Sequence, residues 1–177
     1  MANLEFGDPA IPFELPGIDG KRYSLATLSE GKYATAVIFM CNHCPYVLAW
    51  LDRLIALAHE YQPMNVAFAG INANDAAKYP ADSFENMQKL AEERGLPFPY
   101  LHDETQEIAW AYGAERTPEI FLFDRDLRLR YHGTPDDNYD EAQASEPYLR
   151  YALDAVLEDR NPEIPETDPV GCTIKWK

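Results

Sequence analysis

ATAVIFMCNHCPYVLAWLDRLIALAHEY, residues 34–61, is the stretch whose pattern predicts the fold of this chain. Residues 34–40 form a short apolar run rich in branched side chains, which is typical of a strand buried on both faces. Pro45 suits the first turn of a helix, where its missing N–H is not needed. The apolar residues that follow at helical spacing are Val47, Trp50, Leu51, Leu54, Leu57, Ala58 and Tyr61. Cys41 and Cys44 therefore stand at the junction of a buried strand and a helix.

The chain on either side of this stretch alternates strand and helix patterns. Upstream, Asp19-Gly20 is a strong hairpin signal between two short apolar strands. The downstream elements are a strand at 66–71, a helix from Asp82 or Ser83 to Gly95, a strand at 98–101, a helix at 105–112, strands at 119–123 and 127–132, and a last helix that starts at Ser145. His132 shares a strand face with two arginines, which predicts a solvated side chain. Helices that alternate with buried strands predict an α/β fold.

Length and composition indicate one globular domain with a short tail. The chain has 177 residues, which suits a single domain. We expect residues 1–160 to form that domain. The sequence after Arg160, NPEIPETDPVGCTIKWK, is rich in proline, so we expect residues 161–177 to form an irregular C-terminal tail that packs on the domain.

The charge balance disfavours two classes of partner. The chain carries 30 acidic and 15 basic side chains, a formal net charge of −15. A field of this sign repels phosphate backbones and anionic lipid surfaces, so we expect neither nucleic acid nor a membrane as a partner. The first residues lack the basic and apolar segments of a signal peptide, which predicts a cytoplasmic protein, although a removed signal peptide would leave the same sequence.

Cys41 and Cys44 form a CxxC pair, and its placement matters more than its spacing. A thiolate at a helix N-terminus meets free backbone N–H groups and the positive end of the helix dipole. This stabilisation lowers the thiol pKa and favours the nucleophilic thiolate. We therefore expect Cys41 to have a lowered pKa and to attack a partner, and Cys44 to resolve the mixed disulfide. Asn42 and His43, which lie between them, would tune the reactivity of Cys41.

Thr117-Pro118 is a second signal, directly before the strand at 119–123. A proline at the first residue of a strand is compatible with a plain strand start. The same position would suit a cis-proline beside the thiols, with Thr117 and Pro118 forming a wall that positions a substrate cysteine. The position alone leaves both interpretations open.

These elements, in this order, resemble the thioredoxin superfamily. The opening GDPAIPFELPGIDGKRYSL (7–25) is similar to the start of peroxiredoxin-like and TlpA/ResA-like members, and the extra βα unit at 66–95 fits them too. CNHCPYV (41–47), GINANDAAKYPADSFENM (70–87) and GCTIKW (171–176) resemble the peroxiredoxin-like, AhpC/TSA-type branch that carries a thioredoxin-type CxxC. Proteins of that branch are often described as thiol–disulfide isomerases or thioredoxins.

The resemblance implies a fold, a redox pair and a class of partner. The fold would be thioredoxin-like, with a central mixed β-sheet flanked by helices, an N-terminal hairpin and an inserted βα unit. Cys41 and Cys44 would be the redox pair, and Pro118 the cis-proline. Protein or small-molecule thiols and disulfides would be the partners, and neither a cofactor nor a metal is implied.

The sequence departs from true peroxiredoxins, whose peroxidatic motif is PxxxTxxC. Cys44 falls at the place of that cysteine, while Cys41 replaces the threonine and Val37 replaces the proline. Pro118 occupies the place of the arginine that helps to activate peroxide, and Arg116 is displaced from that register. A thiol peroxidase with Cys44 as the attacking sulfur is therefore an alternative rather than the first expectation.

Two further alternatives involve the third cysteine. In a non-catalytic metal-binding module, the CxxC pair, His43 and Cys172 could supply ligands, but a structural zinc site normally needs a second ligand pair at matching spacing. Cys172 could equally pack as an apolar filler, or act as a third redox thiol that reaches Cys41 or another chain. Our first expectation is a thiol–disulfide oxidoreductase that reduces or isomerises protein disulfides.

Overall fold

The computed structural model describes residues 2–177. Its strands are β1 (Glu14–Pro16), β2 (Arg22–Ser24), β3 (Ala34–Phe39), β4 (Val66–Asn72), β5 (Tyr100–His102), β6 (Arg116–Thr117), β7 (Glu119–Asp124), β8 (Leu129–Gly133) and β9 (Cys172–Thr173). Its α-helices are α1 (Leu25–Ser29), α2 (Pro45–Tyr61), α3 (Phe84–Arg94), α4 (Glu107–Tyr112) and α5 (Tyr148–Leu157). The α/β order expected from the sequence is confirmed.

A five-stranded mixed sheet forms the centre of the fold, in the order β5-β4-β3-β7-β8. The middle strand β3 runs parallel to β4 and antiparallel to β7. Ile38 shows the register, because it lies opposite Gly70 on β4 and Ile120 on β7. Every residue of β3 is buried, as expected for a strand that is covered on both faces.

Successive residues of β3 contribute to two apolar layers, one on each face of the sheet. Ala36 and Ile38 pack in the layer that contains α2, α3 and α5, whereas Val37 and Phe39 pack with the N-terminal hairpin and α4. The apolar positions expected to face inward on α2 are all buried. This packing fixes the N-terminus of α2 at the end of β3. None of the helices in residues 2–177 combines the length and the apolarity needed to cross a membrane.

The peptide bond between Thr117 and Pro118 is cis. The cis-proline interpretation of the sequence is therefore confirmed. Pro118 separates the short strand β6 from β7, which lies next to β3 in the central sheet. The loop is thus held close to the end of β3, where the CxxC residues follow.

The start of the last helix differs from the prediction. Helix α5 begins at Tyr148, not at Ser145. The carboxylate of Asp137 accepts the backbone N–H groups of Ser145 and Glu146, at 2.8 and 3.0 Å, and this holds both residues in a turn outside the helix. The sequence prediction also missed the short helix α1, which follows β2 directly.

The burial of His132 and the course of the tail also differ from the prediction, because the tail packs against β8 and pairs with β6. His132 is 4% exposed rather than solvated, and its Nε2 lies 2.7 Å from Oε2 of Glu119. The tail covers this side of β8, where the N–H of Thr167 donates to the carbonyl of His132 at 2.9 Å. The tail is not wholly irregular, because it also forms β9, which pairs antiparallel with β6.

The inward face of α2 can be tested with two leucines of the same helix. Leu54 lies on the buried face of α2 and is 0% exposed. Leu54→Ala should therefore lower the free energy of unfolding by roughly 2–5 kcal/mol, because it leaves a cavity in the core. Leu48 is 36% exposed, so Leu48→Ala should cost about 1 kcal/mol or less. Urea unfolding followed by circular dichroism measures both. Equal losses would contradict the assigned face.

Candidate active site

The two CxxC cysteines occupy different positions relative to helix α2. β3 ends at Phe39 and α2 begins at Pro45, so residues 40–44 form the connecting loop. Cys44 is the N-cap residue of the helix, and Cys41 lies three residues earlier in the chain. The expectation that Cys41 occupies the helix N-terminus is therefore wrong, because the helix starts later than the CxxC spacing suggested. The free N–H groups of the first turn lie closer to Cys44.

Both sulfurs are buried against the residue that precedes the cis-proline. Cys41 Sγ lies 3.5 Å from Oγ1 of Thr117, and Cys44 Sγ lies 3.4 Å from the Thr117 carbonyl oxygen. Cys41 is 1% exposed and Cys44 is 0% exposed. Neither forms a disulfide here, so the structure represents the reduced pair. The structure thus brings together Cys41, Cys44, Thr117 and Pro118, as the sequence predicted.

The surroundings of the two thiols favour the charged form of Cys44 over that of Cys41. The hydrogen bond from the Cys41 thiol lowers the pKa of Cys44 to about 4, and a bond from the Cys172 thiol and the backbone N–H of Val47 add to this against the opposing effect of burial. The pKa of Cys41 is raised, because this thiol donates to Cys44, is buried and lies near the negative charge of Asp82. The expectation of a lowered pKa at Cys41 is wrong for this geometry.

Asp82 is a buried carboxylate that the sequence prediction did not place at the site. It accepts the N–H of Asn42 at 2.7 Å and the side-chain amide groups of Asn74 and Asn72 at 2.9 and 3.3 Å. Nδ1 of His43 lies 2.6 Å from Oδ2 of the same carboxylate. The sequence suggested Asp82 or Ser83 as the cap of α3, and Ser83 takes that role. Asp82 is free to bind the CxxC loop instead.

Asn42 and His43 are held by the inserted βα unit and by Tyr100 of β5 rather than by the sulfurs. The hydroxyl of Tyr100 donates to Oδ1 of Asn42 at 2.7 Å, and Nδ2 of Asn42 donates to the carbonyl of Ala81 at 3.0 Å. The ring of His43 stacks on Tyr79, with centroids 6.2 Å apart. These contacts fix the loop between the cysteines. Their tuning of thiol reactivity stays a prediction.

Cys172 lies beside the CxxC pair, although it is far away in the sequence. In the β6–β9 pairing, Cys172 is opposite Thr117. Its thiol makes a hydrogen bond with Cys44, and burial together with this bond raises the pKa of Cys172 to about 11. Cys44 therefore has a cysteine neighbour on each side. The sequence contained the cysteine, but its position depends on a pairing between distant segments.

One group of side chains has donor atoms that could surround a metal ion. The sulfur of Cys41, a nitrogen of His43 and an oxygen of Asp82 all lie within 4.8 Å of one another. The sequence had suggested Cys172 and Cys44 as further ligands, but the group contains neither. Asp82 is already satisfied by amide donors, and a structural zinc site requires four ligands. The arrangement fits a hydrogen-bonded loop anchor better than a closed metal site.

Comparison with known proteins identifies relatives over most of the chain. The model of the AhpC/TSA family matches residues 6–132. A solved structure described as an uncharacterized conserved protein from Geobacillus kaustophilus is 45% identical, has a TM-score of 0.93, and is matched over 99% of this chain and 95% of that chain. A hypothetical protein from Sinorhizobium meliloti 1021 is 36% identical, with a TM-score of 0.93, over 99% of this chain and 96% of that chain.

A curated relative carries a description of activity. Thiol-disulfide oxidoreductase ResA of Geobacillus thermodenitrificans (strain NG80-2) is 24% identical over 125 residues, which is 70% of this chain and 66% of that protein. The chain thus spans slightly less than two thirds of that relative. Solved structures that are 21% identical, with TM-scores of 0.68 and 0.70, share the fold, which is thioredoxin-like.

The assignment of the thiolate to Cys44 predicts the pH dependence of thiolate absorption in the ultraviolet. A lowered pKa keeps the charged form at lower pH, so the reduced protein should gain one thiolate with a midpoint about 4. Cys44→Ser should abolish this transition. Cys41→Ala should move it toward the ordinary cysteine value of about 8.5, because the largest stabilising hydrogen bond is lost. A wild-type midpoint near that ordinary value would refute the assignment.

Proposed function

From the premise that the chain belongs to the AhpC/TSA family, we propose that it is a thiol–disulfide oxidoreductase in which Cys41 and Cys44 alternate between a dithiol and a disulfide. One observation carries the proposal: the two sulfurs lie against the same residue, with Cys41 Sγ 3.5 Å from Oγ1 of Thr117 and Cys44 Sγ 3.4 Å from its carbonyl oxygen. Sulfurs in such contact are positioned to form a bond with little movement of the backbone. The partners would be protein or small-molecule disulfides.

The different pKa values of Cys44 and Cys41 suggest which cysteine attacks the partner first. Cys44 carries the thiolate, so it attacks one sulfur of a partner disulfide and releases the other as a thiolate. Cys41 then loses its proton and attacks the Cys44 sulfur of the mixed disulfide. The pair becomes a disulfide, and the partner leaves as two thiols with two more electrons. This order is the reverse of the one predicted from the sequence, because the pKa of Cys44 is the lower of the two.

The loop at Thr117 and Pro118 would position the partner's sulfur. Thr117 contacts both cysteines, and β6 is paired with β9 of the tail, so an extended partner segment would take this edge by displacing β9. An extended peptide that pairs with this edge would place a side chain beside Cys44. Backbone pairing of this kind gives affinity with little sequence preference, which suits a reductase or isomerase of varied protein disulfides.

A thiol peroxidase is the second candidate, and the lowered pKa of Cys44 is the observation that favours it. Peroxide activation also needs a cation near that sulfur. Arg116 instead directs its guanidinium to the carbonyl of Gly171 in the tail, at 3.3 Å. Pro118 stands where the activating arginine of peroxiredoxins would be. The site therefore supports disulfide exchange better than peroxide reduction, because Arg116 is directed to the tail and Pro118 replaces the activating arginine.

Trapping with a small aromatic disulfide tests the proposed order. Cys172→Ser is included in both variants so that the third thiol cannot react. In Cys41→Ser, Cys44 should attack and keep a stable mixed disulfide, because the resolving thiol is missing. In Cys44→Ser, Cys41 should react much more slowly, since burial and Asp82 still raise its pKa. Mass spectrometry of timed samples measures both rates. Faster trapping on Cys41 would reverse the order.

Peroxide separates the second candidate from the first. Reduced Cys41→Ser protein is mixed with hydrogen peroxide, and the sulfenic acid on Cys44 is trapped and counted. We expect slow oxidation, comparable with that of free cysteine, because the activating cation is directed elsewhere. A burst of sulfenic acid within the mixing time, with weak activity toward protein disulfides, would support the peroxidase instead.

A further inference from the structure

We propose that Cys172 is a third redox-active cysteine, which exchanges disulfides with outside partners and passes them to Cys44. The inference rests on the proposed function of the Cys41–Cys44 pair and adds an entry point to it. It follows from the path of the C-terminal tail, from the contacts of three sulfurs and from their unequal exposure.

The tail lies in the place where a peptide partner would pair. Strand β9 runs antiparallel to β6, with Cys172 opposite Thr117 and Thr173 opposite Arg116. The approach is so close that a Cβ atom on Gly171 would lie 2.0 Å from the Thr117 carbonyl oxygen. Only glycine fits there without displacing one of the two segments. The tail therefore behaves as a built-in substrate whose cysteine lies at the reacting position.

The residues after Cys172 anchor the tail, so the position of its sulfur is fixed. The N–H of Ile174 donates to the carbonyl of Glu115 at 2.9 Å, and the Ile174 side chain is buried. The N–H of Lys175 donates to Oδ1 of Asn74 at 2.9 Å, and Nε2 of Gln106 donates to the Lys175 carbonyl at 2.9 Å. The ring of Trp176 stacks on that of Trp110, with centroids 4.5 Å apart.

The three cysteines meet around Thr117. Cys41 Sγ and Cys44 Sγ lie 3.5 and 3.4 Å from Thr117 atoms, and Cys172 pairs opposite Thr117 between β6 and β9. Cys44 interacts with both of the other thiols. Cys41 and Cys44 are almost completely buried, whereas Cys172 is partly exposed. While the tail is docked, an outside sulfur can reach Cys172 more easily than either member of the pair. Access is one of the factors that set the rate of exchange.

The exchange proceeds in three balanced steps when an outside disulfide, such as oxidised glutathione, is the oxidant. Cys172 loses its proton, attacks that disulfide, and the first outside sulfur leaves and takes the proton. The Cys44 thiolate attacks the Cys172 sulfur, forms the Cys44–Cys172 disulfide and releases the second outside thiolate.

In the third step Cys41 loses its proton and attacks the Cys44 sulfur. The Cys41–Cys44 disulfide forms, and Cys172 leaves as a thiolate and takes that proton. Cys172 is thereby restored as a thiol. Two electrons have moved from the buried pair to the outside disulfide. Because each step is an exchange, the same three steps run backward when an outside thiol reduces the pair.

Two variants of the full chain test the relay with oxidised glutathione as the probe. Cys41→Ser blocks the last step, so the Cys44–Cys172 disulfide should accumulate and appear in a peptide map. In Cys172→Ser, the Cys41–Cys44 disulfide should still form, but its rate of formation should fall about tenfold because the entry sulfur is missing. Thr173→Ala, on the same strand, keeps all three thiols and should oxidise at the wild-type rate.

The outcomes distinguish the relay from the activity on which it rests. An unchanged oxidation rate in Cys172→Ser, or absence of the Cys44–Cys172 disulfide in Cys41→Ser, would overturn the relay and leave the pair's own exchange intact. If the wild type forms no Cys41–Cys44 disulfide, the proposed function fails instead. Circular dichroism and the thermal midpoint of each variant show whether the fold and the docked tail are retained.

Discussion

The packing of the Cys41 and Cys44 sulfurs against the same residue, Thr117, is the interaction on which the site depends. A negative charge in a buried place is tolerated only where donors surround it. Cys44 has such donors in the thiols of Cys41 and Cys172 and in the N–H of Val47. The Cys41 thiol is itself kept protonated by burial and by the nearby Asp82. Reactivity is thus placed on Cys44 rather than on Cys41.

The inserted βα unit has a specific part in holding this arrangement. Its buried Asp82 accepts the backbone N–H of Asn42, and the ring of His43 lies against Asp82 and Tyr79. Tyr100, on the neighbouring strand β5, donates to the side chain of Asn42. The loop between the cysteines is therefore attached to the sheet through β4, β5 and the turn between them. Such support limits the conformations of the loop, which keeps the two sulfurs in contact. It also places the negative charge of Asp82 near Cys41.

The sequence predicted what depends on local periodicity. The inward face of α2, the buried strands β3 and β4, and the cap and stop of α3 at Ser83 and Gly95 all follow from patterns within a few residues. Local patterns could not show which segments meet across the fold. His132 is covered by the tail, whose Thr167 lies 35 positions further along the chain, and Cys172 pairs with Thr117 across 55 positions. The same limit hid the role of Asp82.

The reduction potential of the Cys41–Cys44 pair tests the account most directly. It is measured in glutathione buffers free of metal, with Cys172→Ser so that only the pair titrates. A stabilised Cys44 thiolate favours the reduced form, so the potential should lie above that of thioredoxin, about −270 mV. A pair that stays reduced even in fully oxidised glutathione would contradict the account, because no exchange chemistry could then proceed through these two sulfurs.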